Sequence, residues 1–245
     1  MLYDYKEGKK RVNEILNNKL EVIKSDSIPS DDNFTFDNSY YGWVTAIFVD
    51  IRNSSELFSK EDSVMVSKII RSFTSEIIEI LRGENNLREI GIRGDCVYAI
   101  YTTPKQQDIN NIINKAAMIN SFMTMLNKLL IQKNYSVIYA GIGIASAQEL
   151  VVKAGRKNVG INNKVWIGNA VTKASNLSSY GNKNGIGAIV LSPLAYSNTI
   201  EIMTNENKDA PSWFKVEYPI GEDYYYHCNL INSYFDKWIE EGMKV

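Results

Sequence analysis

Two aspartates carry the chemical signal of this sequence. Asp50 ends the apolar run Trp43-Val44-Thr45-Ala46-Ile47-Phe48-Val49, and Asp95 follows Gly94 between two further apolar runs. A run of this kind reads as a strand buried on both faces. A carboxylate at the tip of such a strand has few rotamers and is partly stripped of water, which suits a metal ligand. Alone, Asp50 reads more readily as a cap for the loop behind it than as a ligand. A second carboxylate at a matching strand end shifts the reading to ligation. Oxygen donors with no histidine nearby select Mg²⁺ or Mn²⁺, and two such ions ~3.5–4 Å apart serve phosphoryl chemistry. The loop Ile51-Arg52-Asn53-Ser54-Ser55 supplies backbone amides ahead of a helix. That is a ready anion site, with Asn53, Ser54 and Ser55 as candidate contacts to a triphosphate. Nothing resembling Gly-x-x-x-x-Gly-Lys-Ser/Thr occurs, which argues against a P-loop enzyme.

Composition narrows the chemistry further. The 245 residues, 44% hydrophobic and 22% charged, suit an ordinary globular protein able to bury a core. A formal net charge of −1 gives no reason to expect nucleic acid or a membrane surface as partner. No apolar stretch is long enough to cross a bilayer, and Met1-Leu2-Tyr3-Asp4-Tyr5 lacks a signal peptide's apolar core. Cys96 and Cys228 have no metal-type spacing and read as reduced, buried thiols of a cytoplasmic protein. With His227 the one histidine, a zinc site or a Ser-His triad is improbable. Catalysis must come from carboxylates, basic side chains and metal.

The surrounding elements decide whether Asp50 and Asp95 meet. Val12, Ile15, Leu16, Leu20 and Ile23 predict an amphipathic helix over 3–23 that covers either the domain or a partner copy. Residues 25–41, rich in Ser, Asp, Asn and Pro, read as a linker, giving an N-terminal helix and linker over 1–40 and one catalytic domain over 41–245. After the Asp50 strand, Ser59-Lys60-Glu61-Asp62 resembles a capping box. The stripe Val66, Ile69, Ile70, Phe73, Ile77, Ile80, Leu81 then makes a helix that Gly83 stops. Leu87–Ile92 and Cys96–Tyr101 predict a hairpin around Arg93-Gly94-Asp95. A helix after Pro104 and a strand over Ser136–Ala145 complete strand, helix, strand, strand, helix, strand. That is the ferredoxin-like βαββαβ unit of an α+β fold, with helices on one face of an antiparallel sheet. It lays the first strand beside the hairpin, so Asp50 and Asp95 converge. Beyond it, Glu149–Lys153 and a polar hairpin through Gly160 lead to a strand, Lys164–Ile167. A helix from Gly168-Asn169 to about Tyr180, a strand over Gly185–Ser192, a hairpin from Trp213 to Cys228 and a closing helix over Leu230–Glu241 follow.

Four stretches together resemble one family. Phe48-Val49-Asp50-Ile51 resembles the first metal motif of the class III nucleotidyl cyclases, and Gly94-Asp95-Cys96-Val97-Tyr98-Ala99 the second. Gly141-Ile142-Gly143-Ile144-Ala145-Ser146-Ala147 is similar to the strand that follows, and Val165 to Leu177 to the segment opening the catalytic helix. The resemblance implies a head-to-tail homodimer. Asp50 and Asp95 of one protomer would ligate two Mn²⁺ or Mg²⁺ ions, helped by the Ile51 carbonyl. Residues 165–177 of the other protomer would complete each site. The reaction would be attack of a ribose 3′-oxygen on the α-phosphate of a nucleoside triphosphate, releasing pyrophosphate.

The departures from the family pattern bear on the substrate. Purine cyclases place a base-reading lysine where this sequence has Gly91, and an Asp or Thr where it has Val165. Arg93 stands near enough to donate to the carbonyls of uracil or cytosine; read without the family, it is a surface arginine paired with Glu89. The helix positions that carry an Asn and a transition-state Arg in the family are Thr172 and Asn176 here. Asn176 brings no charge, so Arg156, Lys157 or Lys173 is expected to face the developing negative charge, unless these are only a solvated basic loop. This combination resembles the pyrimidine cyclases of bacterial Pycsar antiphage systems. It implies cyclic UMP or cyclic CMP made for a separate effector, with UTP modestly favoured over CTP. The alternatives are a purine cyclase with unusual base contacts and a catalytically inactive nucleotide-binding module of the same fold.

Overall fold

The computed structural model describes residues 2–60, 62–156, 160, 162–221 and 223–244. Helix α1 (Tyr5–Asn17) starts where the Asp4 carboxylate accepts from the Lys6 and Glu7 amides. It is shorter than the 3–23 helix that periodicity predicts. The chain turns extended at Asn18, and β1 (Glu21–Lys24) instead pairs parallel with Asn38–Tyr41. Leu20 and Ile23 therefore lie outside the helix, because a sheet edge offers residues 21–24 a ladder that local pattern cannot reveal. Val12, Ile15 and Leu16 stay exposed, so the domain itself is not what α1 covers. The stretch read as a linker is held in place. Ile28 and Phe34 are buried, the Ile28 amide donates to Thr102 Oγ1 at 2.8 Å, and Arg88 Nε donates to the Ile28 carbonyl at 2.5 Å.

Strand β2 (Asn38–Ile51) lies at the centre, with Val44, Ala46 and Phe48 in one core and Ile47, Val49 and Ile51 in the other. This two-sided burial is what the unbroken apolar run predicts. Helices α2 (Ser54–Lys60) and α3 (Ser63–Leu81) follow. The cap of α3 is Asp62, which accepts from the Val64 and Met65 amides, rather than the Ser59 box. Ser59 lies inside α2, where its hydroxyl donates to the Glu56 carbonyl. Then come β3 (Leu87–Arg93), β4 (Cys96–Thr102), α4 (Gln106–Gln132) and β5 (Ala140–Gly155). Strand β5 runs unbroken where the pattern suggests two pieces, since thirteen of its residues pair along β2. Next are β6 (Asn162–Ile167), α5 (Asn169–Ser178), β7 (Ile189–Leu191) and α6 (Pro193–Glu206). Sequence pattern leaves α6 unassigned; its start is set by Ser192, whose hydroxyl accepts from the Ala195 amide, and by Pro193. Strands β8 (Lys215–Glu217) and β9 (Tyr225–Cys228) form the expected hairpin, and α7 (Ser233–Glu240) closes the chain.

Among the described residues nine strands form one sheet of order β3-β4-β2-β5-β7-β9-β8, with β1 on β2 and β6 on β5. The order β3-β4-β2-β5 is that of the ferredoxin-like βαββαβ unit, as the element order predicts. Residues of α3 and α4 fill the core on one face. The fold departs from a one-sided arrangement in α5, whose Ala170, Ala174 and Leu177 pack on the opposite face against Phe48 and Ala145. Among the described residues no helix is long and apolar enough to cross a membrane.

Candidate active site

Register brings the two aspartates together. Asp50 sits opposite Cys96 of β4 and Gly141 of β5. Gly94 (φ 64) turns the β3–β4 hairpin, so Asp95 precedes the residue that faces Asp50. Burial pushes the Asp50 carboxyl above its ordinary value; Arg52 opposes that shift and Asp95 adds to it. The Cys96 thiol, half-buried rather than buried as expected, is pushed up to about 12 by desolvation and by Asp50, while Cys228 is buried. Two mutually repelling carboxylates at one strand edge, with the Ile51 main chain beside them, are a donor set that fits a divalent cation. Among the described residues no cluster of three or more His, Cys, Asp or Glu could hold a metal. Among the described residues, Asp50 and Asp95 thus stand at this edge without a third such side chain in a metal-holding group.

Arg52 is a residue that sequence reasoning passed over. Its Nη2 donates to Asp50 Oδ2 at 2.5 Å and its Nη1 to the Ser179 carbonyl at 2.8 Å, and its side chain is 13% exposed. It thus supplies the countercharge of Asp50 and ties this edge of the sheet to the end of α5. An Arg two residues past a strand-end carboxylate is a visible signal, but Ser179 lies 127 residues away. Asn53 adopts a left-handed φ of 53, and its carbonyl accepts from the Glu56 and Leu57 amides. Ser54 and Ser55 therefore open α2, four and five residues past Asp50.

Thr172 and Asn176 make no contact with Asp50 or Asp95 among the hydrogen bonds of the described residues. Both are exposed on the outer side of α5, while Ala170, Ala174, Leu177 and Ser178 face the sheet. Among the candidate cations, Lys173 forms an ion pair with Asp223, Arg156 is exposed just past β5, and Lys157 lies outside the described residues. Helix α5 is itself pinned at both ends. At its start, Glu149 of β5, fully buried, accepts from the Ala170 amide at 2.5 Å, while its Oε2 has no hydrogen-bond partner among the described residues. Burial raises the Glu149 carboxyl, and the Ala170 and Val171 amides oppose that. Local pattern holds no hint of Glu149, because its partner amides are made available only by the fold.

The positions expected to read the base, Gly91 and Val165, lie in β3 and β6. A Cβ on Gly91 would stand 2.8 Å from the Tyr98 ring and hydroxyl, so the ring occupies the space a side chain needs. Tyr98 stacks on Phe48 at 5.2 Å. Val165 is 43% exposed and pairs with Val152. Arg93 is exposed and, among the described residues, has no carboxylate within ion-pair distance. Glu89, its expected surface partner, is instead bonded to Tyr98 and Trp166.

Residues 36–209 match the family of adenylate and guanylate cyclase catalytic domains. The chain is 56% identical over 243 residues to a uridylate cyclase of Treponema porcinum, covering 99% of this chain and 83% of that one. It is 31% identical over 214 residues to a uridylate cyclase of Gulbenkiania mobilis, covering 84% of this chain and 83% of that one. Among solved structures, the adenylyl cyclase CyaB from P. aeruginosa superposes with a TM-score of 0.62 at 18% identity, over 78% of this chain and 95% of that one. That likeness shows the fold.

Proposed function

The chain belongs to the adenylate and guanylate cyclase catalytic domain family, and from that premise we propose that it is a pyrimidine nucleotide cyclase, turning UTP into cyclic UMP and pyrophosphate. The ribose O3′–Pα bond forms, the bond from Pα to the β-phosphate bridging oxygen breaks, and the 3′ proton leaves to solvent. The observation that carries this reading is the pairing of Asp50 with Cys96, which sets Asp95 beside it at one sheet edge. The high identity to a uridylate cyclase of nearly the same extent supports the choice of base.

Asp50, Asp95 and the Ile51 carbonyl would hold two Mn²⁺ or Mg²⁺ ions. Bound there, they supply positive charge to the attacking and leaving oxygens. Arg52 keeps the Asp50 carboxylate aimed along the edge, and the opening of α2 at Ser54 and Ser55 binds phosphate oxygens. Thr172 and Asn176 face outward on α5, which supports a homodimer in which each protomer's α5 meets the partner's aspartates. There Thr172 bonds the ribose. Arg156 or Lys173 meets the developing charge, Lys173 after release from Asp223. The enzyme acts in the cytoplasm, where its nucleotide is, and its product serves a separate effector in antiphage defence.

Purified protein with Mn²⁺ and each of the four nucleoside triphosphates is expected to give cyclic UMP as the main product. A cyclic purine as the main product would end the pyrimidine reading. Arg93→Lys is expected to change the preference among the four nucleotides while leaving the Mn²⁺ dependence of the rate intact, because lysine loses the guanidinium fork but no metal ligand. An unaltered preference would return Arg93 to the role of a surface residue.

A further inference from the structure

Glu89 stands two residues before Gly91 and four before Arg93 on β3, so the three share one side of the sheet. Its carboxylate is fixed from two directions. Tyr98 Oη donates to Oε1 at 2.8 Å, and Trp166 Nε1 donates to Oε2 at 2.7 Å. Burial, and then the bond to Glu89, push the Tyr98 phenol up to about 12, so it remains the donor. Trp166 adjoins Val165. This one carboxylate therefore bridges the two segments in which both expected base-reading side chains are missing. Each oxygen still has a lone pair to offer a ligand.

The Cα atoms of Glu89 and Arg93 are ~13 Å apart along the strand, with the Tyr98 ring over Gly91 between them. A planar ring laid there has a fork of donors at one end and a fixed acceptor at the other. Uracil carries an N3–H donor flanked by two carbonyls. Cytosine carries a bare N3 lone pair at the same place. A carboxylate attracts the first and repels the second. We propose that Glu89 accepts the N3–H of uracil and is the residue that makes the enzyme choose UTP over CTP. This rests on the pyrimidine-cyclase reading and deepens it to one base.

The test is kcat/KM for UTP and for CTP, with Mn²⁺, on the full chain and on Glu89→Gln and Tyr98→Phe. The wild type is expected to favour UTP. Glu89→Gln is expected to lower the UTP-to-CTP ratio on the order of 10- to 100-fold, because its amide N–H can donate to the cytosine N3 and its oxygen is a weaker acceptor. Tyr98→Phe, which frees one carboxylate oxygen, should lower the ratio by a few-fold. An unchanged ratio in Glu89→Gln, whatever happens to the absolute rates, overturns the inference, as does a wild type indifferent between UTP and CTP. Should Glu89→Gln fail to fold, an unchanged ratio in Tyr98→Phe overturns it equally. A wild type that cyclises only purines overturns the pyrimidine reading itself, and this inference with it.

Discussion

Asp50→Asn and Asp95→Asn should each abolish cyclisation, lowering kcat/KM on the order of 10³-fold or more, while the protein stays folded and keeps its association state. The size follows from the charge removed. Each aspartate is half of the carboxylate set at the sheet edge, with no third carboxylate among the described residues to replace it. Losing about 4 kcal/mol of transition-state stabilisation corresponds to roughly a thousandfold. Stability should change little, for a physical reason visible at Asp50. Burial and the neighbouring Asp95 already disfavour its charged form, against the attraction of Arg52. An amide of the same shape relieves the repulsion and forfeits the ion pair, and the two effects oppose each other. Asp95→Asn removes the repelling neighbour and should be neutral or mildly stabilising. The measurement is product formation with Mn²⁺, beside a thermal melt and a sedimentation profile. Wild-type turnover in either variant removes the metal assignment. A lost fold would instead show that the carboxylate is structural.

How much of this site sequence can reveal depends on how far apart the partners lie. The Asp50–Asp95 pairing was legible because both ends of it are local. An apolar run says where β2 is, a Gly-Asp turn says where the β3–β4 hairpin bends, and the βαββαβ order lays them side by side. The bonds that fix the remaining parts join distant residues. Trp166 reaches Glu89 across 77 positions and Lys164 reaches Asp31 across 133. A Ser/Asp/Asn/Pro-rich stretch therefore reads as a linker, although Ile28 within it is fully buried. The same limit explains Arg93, which spacing pairs with Glu89 until the fold shows that carboxylate already engaged by Tyr98 and Trp166. It explains α1 as well, since its periodicity runs on into residues that a sheet edge claims for β1. Local pattern sees side chains that repeat; it does not see which carboxylate or ladder a distant segment will bring.

Gly143→Ala should cost both stability and activity, because one methyl group stands between β5 and the helix that carries Thr172 and Asn176. A Cβ at this position would lie 2.1 Å from the Ala174 carbonyl oxygen and 2.2 Å from the Ser178 amide nitrogen. An ordinary carbon–oxygen contact is about 3.3–3.6 Å, so the shortfall is more than an ångström. The obstructing atoms are backbone, and no rotamer change can clear them. Either α5 lifts from the sheet or β5 bows, and β5 is held on both sides, with Gly143 paired to Phe48 and Val190. The helix is the part that yields. Lifting it opens the core that Ala170, Ala174 and Leu177 close, and it strains the hold of Glu149 on Ala170 and of Arg52 on Ser179. Overpacking of this kind costs about 1–3 kcal/mol, read as a fall in Tm of roughly 2–12 °C for a chain of this size. The catalytic loss should be larger than the stability loss implies, because a displacement of about 1 Å at a reacting centre can cost on the order of 10²-fold. Protein that is still folded at the assay temperature should therefore turn over about a hundredfold more slowly, with the Mn²⁺ dependence little altered, since the β2–β4 pairing that sets Asp50 opposite Cys96 lies away from the displaced helix. A variant with wild-type melting and wild-type turnover would mean that α5 does not rest on β5, and the outward presentation of Thr172 and Asn176 would fall with it.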